Sequence, residues 1–231
     1  MRLDGAVTQI VEVWHQLLEG YRAGQLPEPA LARQCLESIA KYIVWIDLGL
    51  IANEKFVGLF YQFLGDRETR KEAVACLAAL VDKGMGVTAK LELVKSLQLG
   101  QVLQALSDTS LDEDEELCAE VAALVNVAGS HLIEAWKGLA APQKEDALAS
   151  VLQLIPQLLR FLSHQDNEIS EEVIEFATAY IDSYNKQDNG PAAEVHRANF
   201  GSLLKVLMKK AEYPEDYNFN AEEEFEVDVD A

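Results

Sequence analysis

Histidine and cysteine are the side chains through which this chain could hold a metal ion or carry out nucleophilic chemistry. None of the four histidines lies three or four residues from another histidine or a cysteine, the spacing at which side chains on one helix face share a ligand. The sequence contains no HExxH, GxSxG, Walker or CxxC pattern. We therefore predict that the protein is not an enzyme and that it has no catalytic residue, metal site or cofactor. The histidines are His15, His131, His164 and His196.

Two short patterns resemble ligand-binding loops only superficially. Gly84-Met85-Gly86 lacks the preceding strand and the Gly-Lys-Ser/Thr ending of a phosphate loop, so it favours a turn between helices. The acidic run has the alternating carboxylates of a calcium loop, but Leu117 stands where that loop requires glycine. Two interpretations remain open for the run, a solvated loop or a docking patch for a basic protein surface. Its members are Asp112, Glu113, Asp114, Glu115 and Glu116.

The charge balance limits what the chain can bind. The chain has 39 acidic against 19 basic residues and a net charge of −20, which argues against non-specific adhesion to nucleic acid, because each phosphate contact needs Lys or Arg. The same charge favours attraction to a basic partner. Nine basic residues are candidates for contacts with phosphate, and the favoured alternative for any single one is an ordinary helix-surface position, in some cases completing a C-terminal turn. They are Arg67, Arg70, Lys71, Lys83, Lys90, Lys95, Lys205, Lys209 and Lys210.

The cysteines and tryptophans are predicted to be structural. An odd cysteine count without metal-ligand spacing indicates a reduced, intracellular setting, and all three cysteines lie on apolar helix faces. The longest uncharged apolar runs, Val121–Ile133 and Ala147–Leu159, are too short to span a membrane. We predict a buried position for Cys35, Cys76, Cys118, Trp14, Trp45 and Trp136.

The elements that must position these residues are helices. Apolar side chains recur at i, i+3, i+4 and i+7 through most of the chain, and no strand-like alternation competes. The apolar connector Trp45–Asn53 is predicted to be clamped between two helices, with Asn53 capping the second. The pattern predicts helices over about 6–21, 30–43, 54–64, 73–81, 87–97, 102–106, 117–139, 148–162, 173–181 and 192–211, with a break near Gly100.

The helices repeat along the chain. The apolar pattern of Ala73–Asp82 recurs in Val173–Asp182, and Ala32–Ala40 matches the former at an offset near 40 residues. That period is typical of HEAT-type repeats, so we predict an all-α solenoid of about four to five antiparallel helix pairs over residues 1–212. An irregular helical bundle is the alternative. Residues 213–231 contain eight acidic residues and no basic one, and we predict an acidic, largely disordered tail.

Three segments carry a resemblance to a known family. The connector Trp45–Asn53 comes first, followed by Asp82–Met85 with Lys90–Leu97, and then by Met208–Lys210 with Tyr213–Phe219. In this order they resemble segments of the tRNA exportins, the exportin-T family of the importin-β (karyopherin) group. Family members are several times longer, and extra residues stand near Leu99–Gln101. The resemblance therefore predicts that the chain is an internal piece of such a protein.

The resemblance implies a function that composition alone does not. Members carry tRNA from the nucleus to the cytoplasm together with Ran in its GTP form, and they pass the nuclear pore proteins without needing a membrane or DNA. The nine basic residues would then contact tRNA, and the run Asp112–Glu116 would contact Ran. The repeats that grip the switch regions of Ran in that family are missing from this sequence. A generic HEAT or armadillo scaffold without RNA cargo is the alternative.

Overall fold

The computed structural model describes residues 2–107, 111, 114–184 and 193–212, and these residues form helices and turns without a strand. The helix bounds follow the apolar periodicity closely, and two short helices, α3 and α10, were not predicted. The elements are α1 (Arg2–Arg22), α2 (Pro29–Tyr42), α3 (Leu48–Ile51), α4 (Glu54–Leu64), α5 (Arg70–Asp82), α6 (Val87–Ser96), α7 (Leu99–Ser107), α8 (Glu115–Gly138), α9 (Gln143–Leu162), α10 (Asn167–Glu171), α11 (Ile174–Tyr184) and α12 (Ala193–Lys210).

The helices form two layers. In the α8 layer, α2, α5, α8 and α11 pack side by side in chain order. In the α9 layer, α1 packs on α4, while α6, α7 and α12 pack on α9. Each helix of the α8 layer also packs on a helix of the α9 layer that comes before it in the chain, so the chain consists of successive pairs. In these pairs α2 packs on α1, α5 on α4, α8 on α6 and α11 on α9. This arrangement confirms the all-α, HEAT-like solenoid and not the irregular bundle. The predicted acidic tail, 213–231, lies outside the described residues.

The connector between α2 and α4 is only partly clamped. Ile46 and Ile51 are buried, and Asn53 caps α4 as predicted, since its Oδ1 accepts from the N–H groups of Lys55 and Phe56 at 3.1 and 3.2 Å. Trp45, however, is 84% exposed, so its predicted core position is wrong. The chain turns here, and Leu48 and Leu50 are only partly buried.

The break between α6 and α7 lies earlier than predicted. Gln98, and not Gly100, has a positive φ of 45° and turns the chain, while Leu97 and Leu99 on either side are buried. A left-handed conformation is unusual for a residue with a side chain. The burial of two flanking leucines supplies a driving force for it.

The α8 helix is the centre of the core, in contact with α5, α6, α9, α10 and α11. Its side towards α11 is very closely packed. Gly129 lies directly against the ring of Phe176, which is fully buried, and a Cβ at position 129 would overlap that ring. The side-chain oxygen of Asn126 accepts the N–H of Phe176 at 2.8 Å and so satisfies a free donor in the first turn of α11.

The cysteines are buried as predicted. Burial raises the pKa of the Cys35 thiol to about 12, and burial also raises the pKa of Cys76 well above its usual value. The Cys76 thiol lies 3.2 Å from the carbonyl oxygen of Leu36 in the neighbouring helix. These thiols therefore pack between helices as inert side chains. Among the tryptophans, Trp136 is buried and Trp14 is partly buried.

Two lysines tie consecutive pairs together through helix C-termini. The ammonium of Lys83 donates to the carbonyl oxygens of Ile43, Val44 and Ile46 at 2.7, 3.0 and 2.7 Å. Lys90 is buried, and its ammonium donates to the carbonyl oxygens of Val81 and Lys83. The last carbonyls of a helix have no partner within it, so each lysine satisfies acceptors that would otherwise need water.

The last helix, α12, is held by a buried histidine. His196 stacks on Trp136 with ring centroids 5.3 Å apart, and its Nδ1 lies 2.8 Å from the Tyr180 hydroxyl. That hydroxyl accepts an N–H from Asn199, so its own proton is free for Nδ1 and favours a neutral imidazole. Burial accordingly lowers the pKa of His196.

Gly129→Ala should destabilise the protein by about 1 to 3 kcal/mol, because the new methyl overlaps a buried ring that has no free space. Replacing glycine by alanine at an open helical position instead stabilises the protein by up to about 1 kcal/mol. Gly58→Ala in α4 is the matched control, since no atom lies within 4 Å of its added Cβ. Urea unfolding of both variants measures the difference, and equal stabilisation by the two would contradict the close approach.

Lys83→Met should lower the free energy of unfolding by about 1 to 3 kcal/mol, because it keeps the aliphatic length but leaves three carbonyls without their donor. Lys55→Met, at an exposed lysine of α4, should change it by less than about 0.5 kcal/mol. Thermal and urea unfolding provide the measurement. An unchanged stability at position 83 would show that the three hydrogen bonds contribute nothing.

Stability should fall as the pH is lowered from about 7 to about 5, and His196→Gln should flatten this slope. The folded pKa of His196 is lowered below its unfolded value, so the unfolded chain binds a proton first as the pH falls through about 6.5. Above that pH both states are neutral at this residue and its contribution is constant. Urea unfolding at several pH values gives the slopes, and equal slopes for both proteins would reject this assignment.

Candidate cargo-binding surface

Oppositely charged residues meet where α5 and α8 begin. The Arg70 guanidinium lies 3.1 Å from the Asp114 carboxylate, and the side chain of Arg70 is only 12% exposed. The next residue, Lys71, pairs with Glu116, the second residue of α8. Residues predicted to contact tRNA therefore bind residues predicted to contact Ran. No Lys or Arg lies between Lys95 and Lys137 in the sequence, which suggests an acidic run without local counter-ions. The structure corrects this for two members of the run, which are neutralised by cations of α5.

In this cluster the ion pairs stabilise the charged forms of Asp114 and Lys71. Burial opposes ionisation of Asp114, but the Leu117 N–H and the Arg70 guanidinium outweigh it and lower the pKa of the carboxyl. The hydrogen bond to Glu116 raises the pKa of Lys71. Asp114 is also the N-cap of α8, because its Oδ1 accepts the Leu117 N–H at 3.1 Å. Asp112 and Glu113 lie outside the described residues, and Glu115 is exposed.

A second carboxylate extends the cluster along α8. Burial raises the pKa of Glu120, and the nearby carboxylates of Glu172 and Glu72 raise it further, while Lys71 opposes the change. Glu72 is itself buried and lies 3.9 Å from the ammonium of Lys71. The acidic surface at the start of α8 thus continues inward between neighbouring pairs, and Lys71 is its principal counter-ion.

Among the other predicted basic residues, Arg67 lies near Asp114 and helps to lower the pKa of that carboxyl, while the rest lie apart from this cluster. Lys95 pairs with Asp146 of α9 at 2.7 Å, and the hydrogen bond raises its pKa. Arg67 is exposed in the turn before α5. Lys205 and Lys209 are exposed on α12 and form no ion pair with any residue that the structure describes. The nine candidates therefore do not converge on one surface.

Three of the nine candidates already have partners inside the solenoid. Lys83 and Lys90 donate to the carbonyl oxygens described above, and Lys90 is buried, which lowers the pKa of its ammonium. Lys210 donates to Asn167 and Ser170 at 3.0 and 2.7 Å and joins α12 to α10. A phosphate would have to displace these oxygens, so exposed residues are better placed to meet one.

Sequence reasoning did not single out several polar contacts between pairs. Arg22 donates to Gln62 at 2.9 Å, and the Tyr21 hydroxyl donates to Asp66 at 2.9 Å, so the first pair is joined to the end of α4.

Sequence reasoning also did not single out one exposed basic residue, Arg197, which lies on α12 together with Lys205. A search for basic residues four to eight positions apart along one helix would have found it.

Two hollows lie beside the break between α6 and α7. One, of about 360 Å³, lies between the break and α9, and the Lys95–Asp146 pair borders it. The other, of about 420 Å³, lies against α4 and is lined mainly by Tyr61, Leu64, Leu97 and Val102. No histidine or cysteine lines either hollow. Their linings hold no nucleophile paired with a base.

Neither a metal nor a membrane is indicated by the described part of the chain. Within it, no three histidine, cysteine or acidic side chains are grouped so that they could hold a metal ion. By length and composition, α8 alone among the described helices is apolar enough to cross a membrane, but 56% of its apolar stretch is buried inside the protein. Its contacts with both layers explain the composition as that of a core helix.

Two family models match this chain. One described as Exportin 1-like protein matches residues 1–77, and one described as Exportin-T matches residues 141–230. Both matches include helices of both layers.

Curated relatives match almost the whole chain. Exportin-T of Mus musculus and Exportin-T of Danio rerio are each 34% identical to it over 97% of its length. Exportin-T of Dictyostelium discoideum is 31% identical over 77% of the chain. The chain spans 23% of the length of the mouse and zebrafish relatives. Together with the two family models, these identities show that the chain belongs to the exportin-T family.

Proposed function

We propose that this chain acts in the export of tRNA from the nucleus, as part of a receptor that binds tRNA and Ran in its GTP form. The observation that carries the proposal is the 34% identity with mouse Exportin-T over 97% of the chain. In this proposal the receptor passes nuclear pore proteins, shuttles between nucleus and cytoplasm, and is not an enzyme. The two-layer stack supports it, because a solenoid can enclose large cargoes along one continuous surface.

The proposed role of the solenoid is to change curvature. Most contacts join neighbouring pairs, so small rotations between pairs add up along the stack. If tRNA and Ran both bind the same curvature more tightly, each raises the affinity of the other by the same factor. The ion pairs at the start of α5 and α8 lie across such an interface between pairs.

These ion pairs also provide a physical link between the two cargoes. Arg70 and Lys71 are held by Asp114 and Glu116, so they are not free to meet phosphate. A basic protein surface that binds the carboxylates of α8 would release both cations for RNA. In this proposal the acidic residues give up their ion pairs with Arg70 and Lys71 and bind Ran instead. The two released cations then bind tRNA. The exposed Arg67 and Lys205 would add contacts to the RNA backbone.

A generic protein-interaction scaffold is the second candidate function, and the net charge of −20 is the observation that favours it. Such a scaffold would use the same helix pairs without RNA. The response to Ran distinguishes the two functions, because only the export receptor requires the affinities for Ran and tRNA to be coupled.

A chimera in which this chain replaces the matching 23% of mouse Exportin-T should bind tRNA more tightly when Ran carries GTP. Coupling between two sites usually changes affinity about 5- to 150-fold, and the affinity should also fall steeply with salt. Filter binding or anisotropy with labelled tRNA measures both effects. A tRNA affinity unchanged by Ran with GTP, in a chimera that folds and binds Ran, would favour the scaffold.

The ion-pair exchange has its own matched control in the chimera. Glu116→Gln removes the partner of Lys71, so it should raise the tRNA affinity measured without Ran and weaken the response to Ran. Glu28→Gln, at an exposed residue that makes no side-chain capping bond, removes the same charge elsewhere and should leave the response to Ran unchanged. Equal effects of both substitutions would reject the exchange and leave only a general charge effect.

A further inference from the structure

The hollow between the α6–α7 break and α9 has an apolar inner side and a polar rim. Val94, Leu132 and Leu154 are buried and line its inner side. Its volume of about 360 Å³ is near the lower end of the range for small-molecule sites, which is roughly 300 to 1,000 Å³. The hollow is therefore large enough for one small ligand and too small for a folded partner.

Three glutamine side chains at the rim have no partner. Gln98 lies at the break, Gln101 lies on α7 and Gln153 lies on α9, and all three are exposed and line the hollow. Their amide groups form no hydrogen bond with any residue that the structure describes. Each amide carries N–H donors beside a carbonyl acceptor, so together they can bind a ligand edge on which donors and acceptors alternate.

The Lys95–Asp146 ion pair adds acceptors to the same rim. Oδ2 of Asp146 accepts from the Lys95 ammonium at 2.7 Å, while Oδ1 forms no hydrogen bond within the described part of the chain. The hydroxyl of Ser150 donates to the backbone carbonyl of Asp146 at 3.0 Å, so the Ser150 oxygen is a second acceptor. A carboxylate beside a nucleotide is a common acceptor for a ribose hydroxyl.

Gly100 keeps this hollow open. The chain turns at Gln98, and Gly100 does not have the positive φ for which glycine is needed. Glycine is also a poor helix former, yet it is the second residue of α7. A Cβ at position 100 would lie 3.7 Å from the side-chain oxygen of Gln153, and a longer side chain would extend into the hollow. The absence of a side chain therefore leaves the space beside Gln153 unfilled.

We propose that this hollow binds an adenosine group, either of a free nucleotide or within an RNA strand. The apolar faces of the adenine ring match the buried leucines, and its edge carries an amino donor near ring-nitrogen acceptors. Gln153 makes a pair of hydrogen bonds to this edge, accepting from the amino group and donating to N7. Oδ1 of Asp146 accepts a ribose hydroxyl. Among the described residues that line the hollow none is an arginine, the usual partner of guanine, so the lining favours adenine.

Saturation-transfer NMR with free nucleosides tests this site in the intact chain. Adenosine should bind at least about fivefold more tightly than inosine, which has a carbonyl in place of the amino group and cannot form the same pair of hydrogen bonds. No saturation transfer to adenosine, or equal affinities for the two nucleosides, would overturn the proposal. The measurement contains neither tRNA nor Ran, so its outcome is independent of the export function.

Variants locate the binding in the hollow. Gly100→Leu fills the space beside Gln153 and should abolish the saturation transfer to adenosine. Gly138→Leu, at an exposed glycine with no atom within 4 Å of its added Cβ, is the matched control and should leave it unchanged. Gln153→Leu removes only the amide at an exposed position of α9 and should weaken adenosine binding at least about fivefold. An affinity unchanged by Gln153→Leu, or lowered equally by the two glycine variants, would overturn the proposal.

Competition identifies where the adenosine comes from. AMP and a single-stranded oligoadenylate are each added to the chain with adenosine bound. Stronger displacement by AMP assigns the hollow to a free nucleotide, whereas equal or stronger displacement by the oligoadenylate assigns it to RNA. Failure of both to displace adenosine would overturn the proposal, because each carries the same base and ribose.

Discussion

Close packing around α8 is the constraint on which the rest of the solenoid depends. This helix packs along five others, and it does so by placing small residues where neighbours approach. Ala122, Ala128 and Ala135 are fully buried, and Gly129 leaves room for the ring of Phe176. In a stack where most contacts join neighbouring pairs, a packing error at one interface changes the orientation of all the pairs beyond it. The middle helix therefore sets the relation between the first and the last pairs.

Polar contacts between pairs use basic residues internally. Lys83 and Lys90 satisfy helix C-terminal carbonyls, and Lys210 joins α12 to α10. Free carbonyls at a helix end carry partial negative charge, so an ammonium is a favourable partner there. The result is a molecule whose cations are partly enclosed while its carboxylates face water. That distribution makes the remaining exposed cations, above all those on α12, the sites where a polyanion meets the least competition.

The cluster formed by α5 and α8 unites two surfaces that appear separate along the chain. Arg70 and Asp114 are 44 residues apart, yet they form a partly buried ion pair. Breaking such a pair without replacing either partner is unfavourable, because a desolvated charge loses its counter-ion. A ligand for one side therefore changes what the other side can bind. This exchange gives the proposed coupling between a basic protein and RNA a specific location.

The amino-acid sequence by itself determined the fold class, the helix bounds to within a few residues for most elements, the Asn53 cap and the family. These features depend on residues close together in the chain, so the apolar periodicity and the capping residues can be recognised from the sequence alone. The tertiary structure alone decided that Trp45 faces solvent, that Lys83 and Lys90 bind backbone oxygens, and that Arg70 neutralises Asp114. Of the predicted site residues, the sequence identified the charges correctly but not which of them remain available. Except for Lys90, whose partners lie seven and nine residues away, availability depends on contacts between residues about 40 to 50 positions apart in the chain. Apolar periodicity reports which face of a helix is buried but not which neighbouring groups meet it.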